Sequence, residues 1–157
     1  MEIQLSETPF DPYALLRDFE REPDHLRAHF GAASLFIGTM RDFNEGEAVE
    51  SLWLEHYPRM TEHELQRIAQ EVQQSAPFKR GLIVHRVGHI VPGETIVLIG
   101  TWSCHRAEAI TATSRMIEAL KHRAPFWKKE QRGTKSHWVE SNTSGSGINV
   151  ASKPVKT

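Results

Sequence analysis

A cluster of lysines and arginines in the last third of the chain could bind or activate an anion. The segment ALKHRAPFWKKEQRGTK, residues 119–135, holds six basic side chains around a Pro-Phe-Trp step. Lys121 lies where a helix is predicted to end, and a cation there complements the helix dipole. If a strand follows, Phe126, Lys128 and Glu130 share one face of it. A lysine desolvated beside a phenyl ring and near another cation has a lowered pKa, so the pattern permits lysine chemistry as well as a solvated helix end.

Two other places could contribute cations to an anion site. Arg41 directly follows an apolar run in FIGTMRD. It could pair with Asp42 or Glu45, or bind an anion through both guanidinium nitrogens, and the spacing leaves these alternatives open. His105 and Arg106 stand at a predicted helix N-terminus, where backbone N–H groups favour an anion. A solvated first helical turn is the alternative there.

Cys104 is the only cysteine, which excludes an internal disulfide and a cysteine-based metal site within one chain. Its place beside His105 at a helix start permits a thiolate nucleophile of lowered pKa. Adjacent side chains seldom face each other productively, so a small apolar residue at a strand-to-helix junction is the favoured interpretation.

Histidine pairs give no support for a metal site. His25 and His29 are four residues apart, as on one helix face, but no HExxH motif accompanies them. His85 and His89 lie near a strand end and are weaker candidates still. Because two histidines alone rarely hold a catalytic metal, we predict neither a metal nor another cofactor.

Length and composition indicate one ordinary domain. The chain has 157 residues, of which 39% are hydrophobic and 25% charged, and its formal net charge is −1. The charge is uneven, with a net −4 over residues 1–30 and +5 over residues 114–135. Such a distribution favours a local anion site over a general nucleic-acid binder. No signal peptide or apolar run of about 18 residues is present, so we predict a cytoplasmic protein without membrane association.

The pattern of apolar residues predicts a mixture of helices and strands. Asp11 and Pro12 mark a helix start, and apolar runs predict strands over 32–40 and 49–57 with a loop between them. Further predicted elements are a helix from a capping box at Thr61 and Glu64 to Pro77, strands in GLIVHRVG and TIVLIGTWS around a Pro92-Gly93 turn, and a helix after Cys104 that ends before Pro125.

The end of the chain is predicted to form a hairpin and then a tail. FWKKEQ and SHWVE suit two strands joined about Gly133. Residues 141–157 are small and polar, which is typical of a flexible tail. The order of elements favours the α+β class, with one domain over residues 1–140.

Four segments, taken in order, resemble the large, catalytic subunit of molybdopterin synthase. They are FIGTMRDFNEGEAVESLWLEHYPRMTEHEL, IVHRVGHIVPGE, SCHRAEAI and LKHRAPFWKKE followed by WVE. The resemblance covers roughly residues 30 to 140. It implies an α/β hammerhead fold with an additional small antiparallel β-sheet, and a homodimer that forms the core of a heterotetramer with two copies of a small ubiquitin-like sulfur carrier.

The resemblance also implies a reaction. Sulfur from the carrier's C-terminal thiocarboxylate is transferred to cyclic pyranopterin monophosphate, which gives the dithiolene of molybdopterin. A phosphate ester substrate and an anionic carrier tail suit the local positive charge. The presence of a single cysteine is also compatible with this reaction, because the enzyme need not carry sulfur itself.

The family's functional positions fall on particular residues of this chain. The two lysines to which the family assigns acid–base work and charge stabilisation correspond to Lys121 and Lys128. Arg123, Arg132 and Lys135 are left as bystanders or as contacts for the carrier. The residues implied in substrate binding are Thr39, Met40, Arg41, His105, Arg106, Lys121, Lys128, Lys129 and Glu130.

Two other classes of function remain open at this stage. A non-catalytic module that binds an acidic protein tail needs the basic patch but no particular lysine. A sulfurtransferase that depends on Cys104 needs the thiol, whereas the synthase does not.

Overall fold

The computed structural model describes residues 1–21 and 28–139 and confirms the α+β class. Helices and strands alternate irregularly along the chain, as expected for that class. In chain order the elements are β1 (Glu2–Ser6), α1 (Pro12–Arg21), β2 (Ala32–Thr39), β3 (Phe43–Asn44), β4 (Glu47–Ala48), β5 (Ser51–His56), α2 (Pro58–Ser75), β6 (Arg80–Arg86), β7 (Gly88–Ile90), β8 (Thr95–Ser103), α3 (Arg106–Arg123), β9 (Phe126–Arg132) and β10 (Lys135–Trp138).

The larger sheet has helices on both faces. Its strand order is β1-β6-β8-β2, with β1 parallel to β6 and the other neighbours antiparallel. Because side chains alternate along a strand, Ile83 and Ile99 pack under α2 and α3, whereas Leu82 and Leu98 pack with α1 on the opposite face. The central strands are therefore buried on both sides.

A second, antiparallel sheet lies beside the first and confirms the additional sheet that was expected. Its order is β10-β9-β5-β7, and its core contains Leu52, Leu54 and Ile90. The predicted hairpin of β9 and β10 is present, with Gly133 at φ 57° in its turn. The strand β9 that carries Lys128 thus lies between two partner strands.

Local sequence signals determine where α1 begins and where α3 ends. Asp11 Oδ1 accepts hydrogen bonds from the backbone N–H groups of Tyr13 (2.9 Å) and Ala14 (3.3 Å), which confirms the predicted cap of α1. The helix α3 ends at Arg123, and Ala124 adopts an extended conformation before Pro125, as predicted. The chain therefore turns directly from α3 into β9.

Two predicted features were wrong or incomplete, and a strand was missed. The helix α2 begins at Pro58, not at a capping box, and Thr61 is fully buried within it. Proline is favoured in the first turn because its missing N–H would lack a helical partner there. The predicted loop before β5 contains the short hairpin β3–β4, with Glu45 at φ 52° and Gly46 at φ 82° in its turn. The parallel strand β1 was not predicted.

Two expectations concern features outside this architecture. The boundary near residue 140 and the tail at 141–157 lie outside the described residues. Among the residues described, none of the helices has the length and apolar character needed to cross a membrane.

Candidate active site

Lys121 is held in place by the attachment of α3 to the larger sheet. Thr101 Oγ1 on β8 donates to the carbonyl oxygen of Ala109 (2.8 Å), and Thr113 Oγ1 donates to that of Ser34 (3.0 Å) on β2. These buried bonds fix the helix along two strands, because each hydroxyl would be costly to leave unpaired. Lys121 then projects from the last turn of α3.

The end of α3 is also tied to α2. Arg123 Nε donates to Glu64 Oε1 (3.0 Å), and its two terminal nitrogens bind the carboxylate of Glu71. Arg123, predicted to be a bystander, is thus the ion-pair anchor of the turn that carries Lys121.

Lys128 enters the site from the second sheet. Lys128 pairs with Leu54 of the neighbouring strand β5. Its side chain points to the same side of β9 as that of Phe126, as the alternation of side chains along a strand requires. Trp127 and Lys129 lie on the opposite face: Trp127 packs edge-on against Tyr57, and the Lys129 ammonium lies 5.6 Å from the Trp138 ring centre. The predicted division of this strand is confirmed.

The two lysines line one cavity of about 280 Å³, although Lys121 lies on α3 and Lys128 lies on β9 of the second sheet. The cavity lies where α3, β2 and β9 meet, and most of its wall is apolar. Its lining residues are Phe36, Gly38, Thr39, His85, Ile96, Val97, Ile117, Leu120, Lys121, Ala124, Phe126 and Lys128. A largely apolar cavity with two cationic groups can accept a ligand that is mainly apolar and ends in an anion.

A smaller cavity of about 140 Å³ adjoins the first and is more polar. Thr39, Ile96 and Lys128 line both cavities, so Lys128 stands at their junction. The smaller cavity is also lined by Met40, Arg41, Phe43, Asn44, Val49, Leu52, Glu130 and Val139.

The surroundings of Lys128 lower its pKa. Burial is the main cause of a lowered pKa, the charge of Lys121 lowers the pKa further, and the carboxylate of Glu130 opposes the shift. A lysine of lowered pKa can take up or release a proton near neutral pH more readily than an exposed one. It can also stabilise negative charge while it is protonated.

The residues at the end of β2, which are predicted to form a binding segment, line the smaller cavity. The Met40 side chain is buried in the core of the second sheet, and its backbone N–H donates to the carbonyl oxygen of Glu94 (2.9 Å). The guanidinium of Arg41 lies 5.1 Å from the Phe43 ring centre. Of the two carboxylates considered for it, Glu45 pairs with Arg132, and within the described part of the chain Arg41 has no ion pair. The arrangement favours the anion-ligand alternative for Arg41.

Glu130 is buried, and its carboxylate is occupied by neighbouring side chains. Asn44 Nδ2 donates to Oε1 (2.9 Å), while Arg132 donates to Oε2 from Nε (3.0 Å) and from Nη2 (2.7 Å). Arg132 also binds Glu47 (2.7 Å) and Glu45 (3.3 Å), and so ties the β3–β4 hairpin to β9. Arg132 is predicted from the sequence to be a bystander or a carrier contact, because its partners Glu47 and Glu45 lie 85 and 87 residues away along the chain, where no local pattern indicates them.

The remaining predicted residues lie elsewhere. His105 and Arg106 are exposed at the N-terminus of α3, and helix geometry puts Arg106 roughly 22 Å from Lys121, at about 1.5 Å per residue. Within one chain, therefore, they do not meet the two lysines. Cys104 is exposed at the strand-to-helix junction, and its Sγ lies 3.8 Å from the carbonyl oxygen of His29.

One cavity residue was considered in the sequence only as a metal ligand. The ring of His85 lines the larger cavity and stacks on Phe126, with ring centres 4.1 Å apart. Nothing in the spacing of residues 80–90 indicates this contact, because it joins strands of different sheets. Among the described residues no group of histidine, cysteine and carboxylate side chains could hold a metal ion.

Solved structures with this fold define its class. The molybdopterin biosynthesis MoaE protein of Burkholderia ambifaria superposes with a TM-score of 0.74 at 34% identity, over 92% of each chain. The molybdopterin synthase structure of Staphylococcus aureus gives a TM-score of 0.74 at 32% identity, over 88% of this chain and 95% of the other. The chain thus shares the fold of these two proteins of molybdopterin biosynthesis.

Sequence comparison identifies the family within that class. Residues 5–123 match the protein family described as "MoaE protein". The molybdopterin synthase catalytic subunit of Pseudomonas aeruginosa is 42% identical over 144 residues, which is 92% of this chain and 93% of the relative. The Escherichia coli catalytic subunit is 42% identical over 73% of this chain and 76% of its own length. The chain belongs to the MoaE family, the catalytic subunits of molybdopterin synthase, and the resemblance noted in the sequence is confirmed.

Proposed function

We propose that this chain transfers sulfur from the C-terminal thiocarboxylate of a small carrier protein to cyclic pyranopterin monophosphate, as the catalytic subunit of a molybdopterin synthase. The observation that carries the proposal is the convergence of Lys121 and Lys128 on one largely apolar cavity that adjoins a polar one. A family name alone does not say where the chemistry takes place, and the two adjoining cavities support a separate position for each reactant.

The larger cavity would hold the carrier tail and the smaller one the phosphate ester. An extended tail can lie along the apolar wall with its thiocarboxylate near Lys121 and Lys128. The substrate would then approach from the side of Thr39 and Arg41, whose guanidinium can bind a phosphate through two nitrogens. Lys128, at the junction, would meet both reactants.

The two lysines would share the chemical work. The positive charges of Lys121 and Lys128 stabilise the negative charge that develops when the thiocarboxylate attacks or when the cyclic phosphate opens. The lowered pKa of Lys128 suits it to proton transfer in the same steps. Cys104 is not needed, because the sulfur arrives on the carrier's thiocarboxylate; within one chain its exposed thiol also lies at the far end of α3 from these lysines.

The positions of His105 and Arg106 constrain their proposed role in substrate binding. Since the length of α3 separates them from the lysines, they can serve the same substrate only if a second copy of the chain supplies them. The homodimer core of a heterotetramer would meet that requirement. We place this assembly in the cytoplasm.

Reconstitution tests the proposal against its rivals. Purified protein, thiocarboxylated carrier and cyclic pyranopterin monophosphate are mixed, and the dithiolene product is followed for wild type, Lys121→Ala, Cys104→Ser and Lys135→Ala. We expect product from all but Lys121→Ala, with Lys135→Ala as the control for loss of one basic side chain on the β9–β10 hairpin. A binding module would give no product with any form, and a cysteine-dependent sulfurtransferase would lose activity with Cys104→Ser.

A further inference from the structure

The larger and the second sheet touch through two rings beside the lysines. The ring of His85 on β6 stacks on the ring of Phe126, the first residue of β9, with centres 4.1 Å apart and planes 16° apart. Phe126 comes five residues after Lys121 and two before Lys128. Along the chain, therefore, Phe126 lies between Lys121 at the end of α3 and Lys128 on β9.

The hydrogen bonding of His85 fixes its protonation pattern. Its Nδ1 lies 2.7 Å from the carbonyl oxygen of Arg86, which can only accept, so Nδ1 carries the proton. In the neutral ring, Nε2 is then the nitrogen without a proton. The side chain is only 8% exposed, and the same carbonyl oxygen holds the ring in one orientation.

The neutral state of His85 suits its neighbours. Burial lowers the pKa of His85 to about 4, the charges of Lys128 and His56 act in the same direction, and the Arg86 carbonyl oxygen opposes them. At neutral pH the ring therefore adds no third positive charge to a cavity that already contains Lys121 and Lys128. It packs as an aromatic surface against Phe126.

We propose that His85 is a positioning residue for the reaction: by stacking on Phe126 it fixes the start of β9, so that Lys128 enters the cavity beside Lys121. Because α3, which carries Lys121, is bonded to the larger sheet and Lys128 belongs to the second sheet, the separation of the two lysines depends on how the sheets are joined. Misplacement of a reacting group by about 1 Å can lower a rate by roughly two orders of magnitude. The expected effect of His85 on the reaction rate rests on the proposed function, whereas its expected effect on the position of Lys128 does not.

Two substitutions of His85 separate stacking from other roles. His85→Leu fills much of the space without an aromatic face, and His85→Phe keeps a neutral ring that can stack. With thiocarboxylated carrier and substrate, we expect His85→Leu to lower the single-turnover rate constant at least about tenfold, and His85→Phe to stay within roughly threefold of wild type. Phe126→Leu removes the stack from its other side and should resemble His85→Leu.

A second readout needs no turnover. NMR titration of lysines labelled with ¹³C at Cε follows Lys128 directly in each variant. Loss of the stack should admit water, so the pKa of Lys128 should rise toward its ordinary value in His85→Leu and in Phe126→Leu but not in His85→Phe. Thermal unfolding measured on the same samples identifies any variant that is not folded, and the other side of the stack then provides the test.

The outcomes are distinct. A wild-type rate and an unchanged Lys128 titration in folded His85→Leu or Phe126→Leu would overturn the positioning role. Equal impairment of His85→Phe and His85→Leu would also overturn it, because the ring nitrogens rather than the stack would then be required. Absence of product from wild type, together with the expected shifts in the Lys128 titration, would refute the proposed function and leave the positioning of Lys128 supported.

Discussion

Substitution of Gly38 by alanine tests whether the larger cavity is as closely packed as the structure indicates. A methyl group on Gly38 would lie 2.9 Å from Val97 Cγ1 and 3.3 Å from Phe36 Cε1, both of which belong to the cavity wall. Ordinary contacts between carbon atoms are about 3.5–4.0 Å. Val97 is 5% exposed and has a stiff χ1 angle, so it cannot move away without disturbing the core.

The expected magnitude follows from this overlap. Overpacking of a well-packed site costs about 1–3 kcal/mol in the free energy of unfolding. For a chain of this length each kcal/mol lowers the Tm by roughly 2–4 °C, so Gly38→Ala should melt about 2–12 °C below wild type. The narrowed wall should also weaken binding of the carrier tail about tenfold, which corresponds to about 1.4 kcal/mol.

Calorimetry and carrier titration of a double-mutant cycle measure both effects. Val97→Ala removes the atom that the new methyl group would approach most closely. The combined variant should therefore be less destabilised than the sum of the single ones by about 0.5–3 kcal/mol. Additive changes in stability, together with an unchanged carrier affinity of Gly38→Ala, would refute this account of the cavity wall.

Two further predictions concern the groups around the lysines. His85 has a pKa of about 4 when folded and 6.5 ordinarily, so between these values the unfolded chain binds a proton that the folded chain does not. The free energy of unfolding should therefore fall by on the order of 3 kcal/mol as the pH drops from 6.5 to 4. Urea unfolding of His85→Phe should lack this pH-dependent loss of stability. An identical pH dependence in the variant and the wild type would contradict the burial of a neutral ring. Arg132→Ala should release the β3–β4 hairpin and weaken substrate binding. Amide hydrogen exchange over residues 43–48 should therefore be faster in Arg132→Ala than in the control variant Lys135→Ala. Unchanged exchange would show that Arg132 does not hold the hairpin.

Much of the site's local geometry could be predicted because it depends on short-range rules. The break at Pro125 separates α3 from β9, and the two-residue period of a strand puts Phe126 and Lys128 on the same side. The separation of His105 and Arg106 from Lys121 is likewise contained in the length of the predicted helix. The sequence interpretation did not draw that consequence, because the family pattern groups these residues together.

Other features depend on which elements pack together, and no local pattern contains that information. Arg132 acquires its role from carboxylates on a distant hairpin, and His85 from a ring on another sheet. Thr61 resembled a helix cap, but Pro58 begins the helix and the packing of α2 buries the hydroxyl. Strand β1 was missed because it is short and is stabilised by parallel pairing with β6, some 80 residues away.

The central claim is that Lys121 and Lys128 act chemically at one cavity. The most direct measurement is the single-turnover rate constant for dithiolene formation at saturating carrier and cyclic pyranopterin monophosphate, with the carrier dissociation constant determined in parallel. Lys121→Ala and Lys128→Ala should each lower the rate constant at least about 100-fold, the lower range for loss of acid–base catalysis, while the carrier still binds. A rate constant within about threefold of wild type for either variant, with the carrier and substrate both bound, would contradict the account.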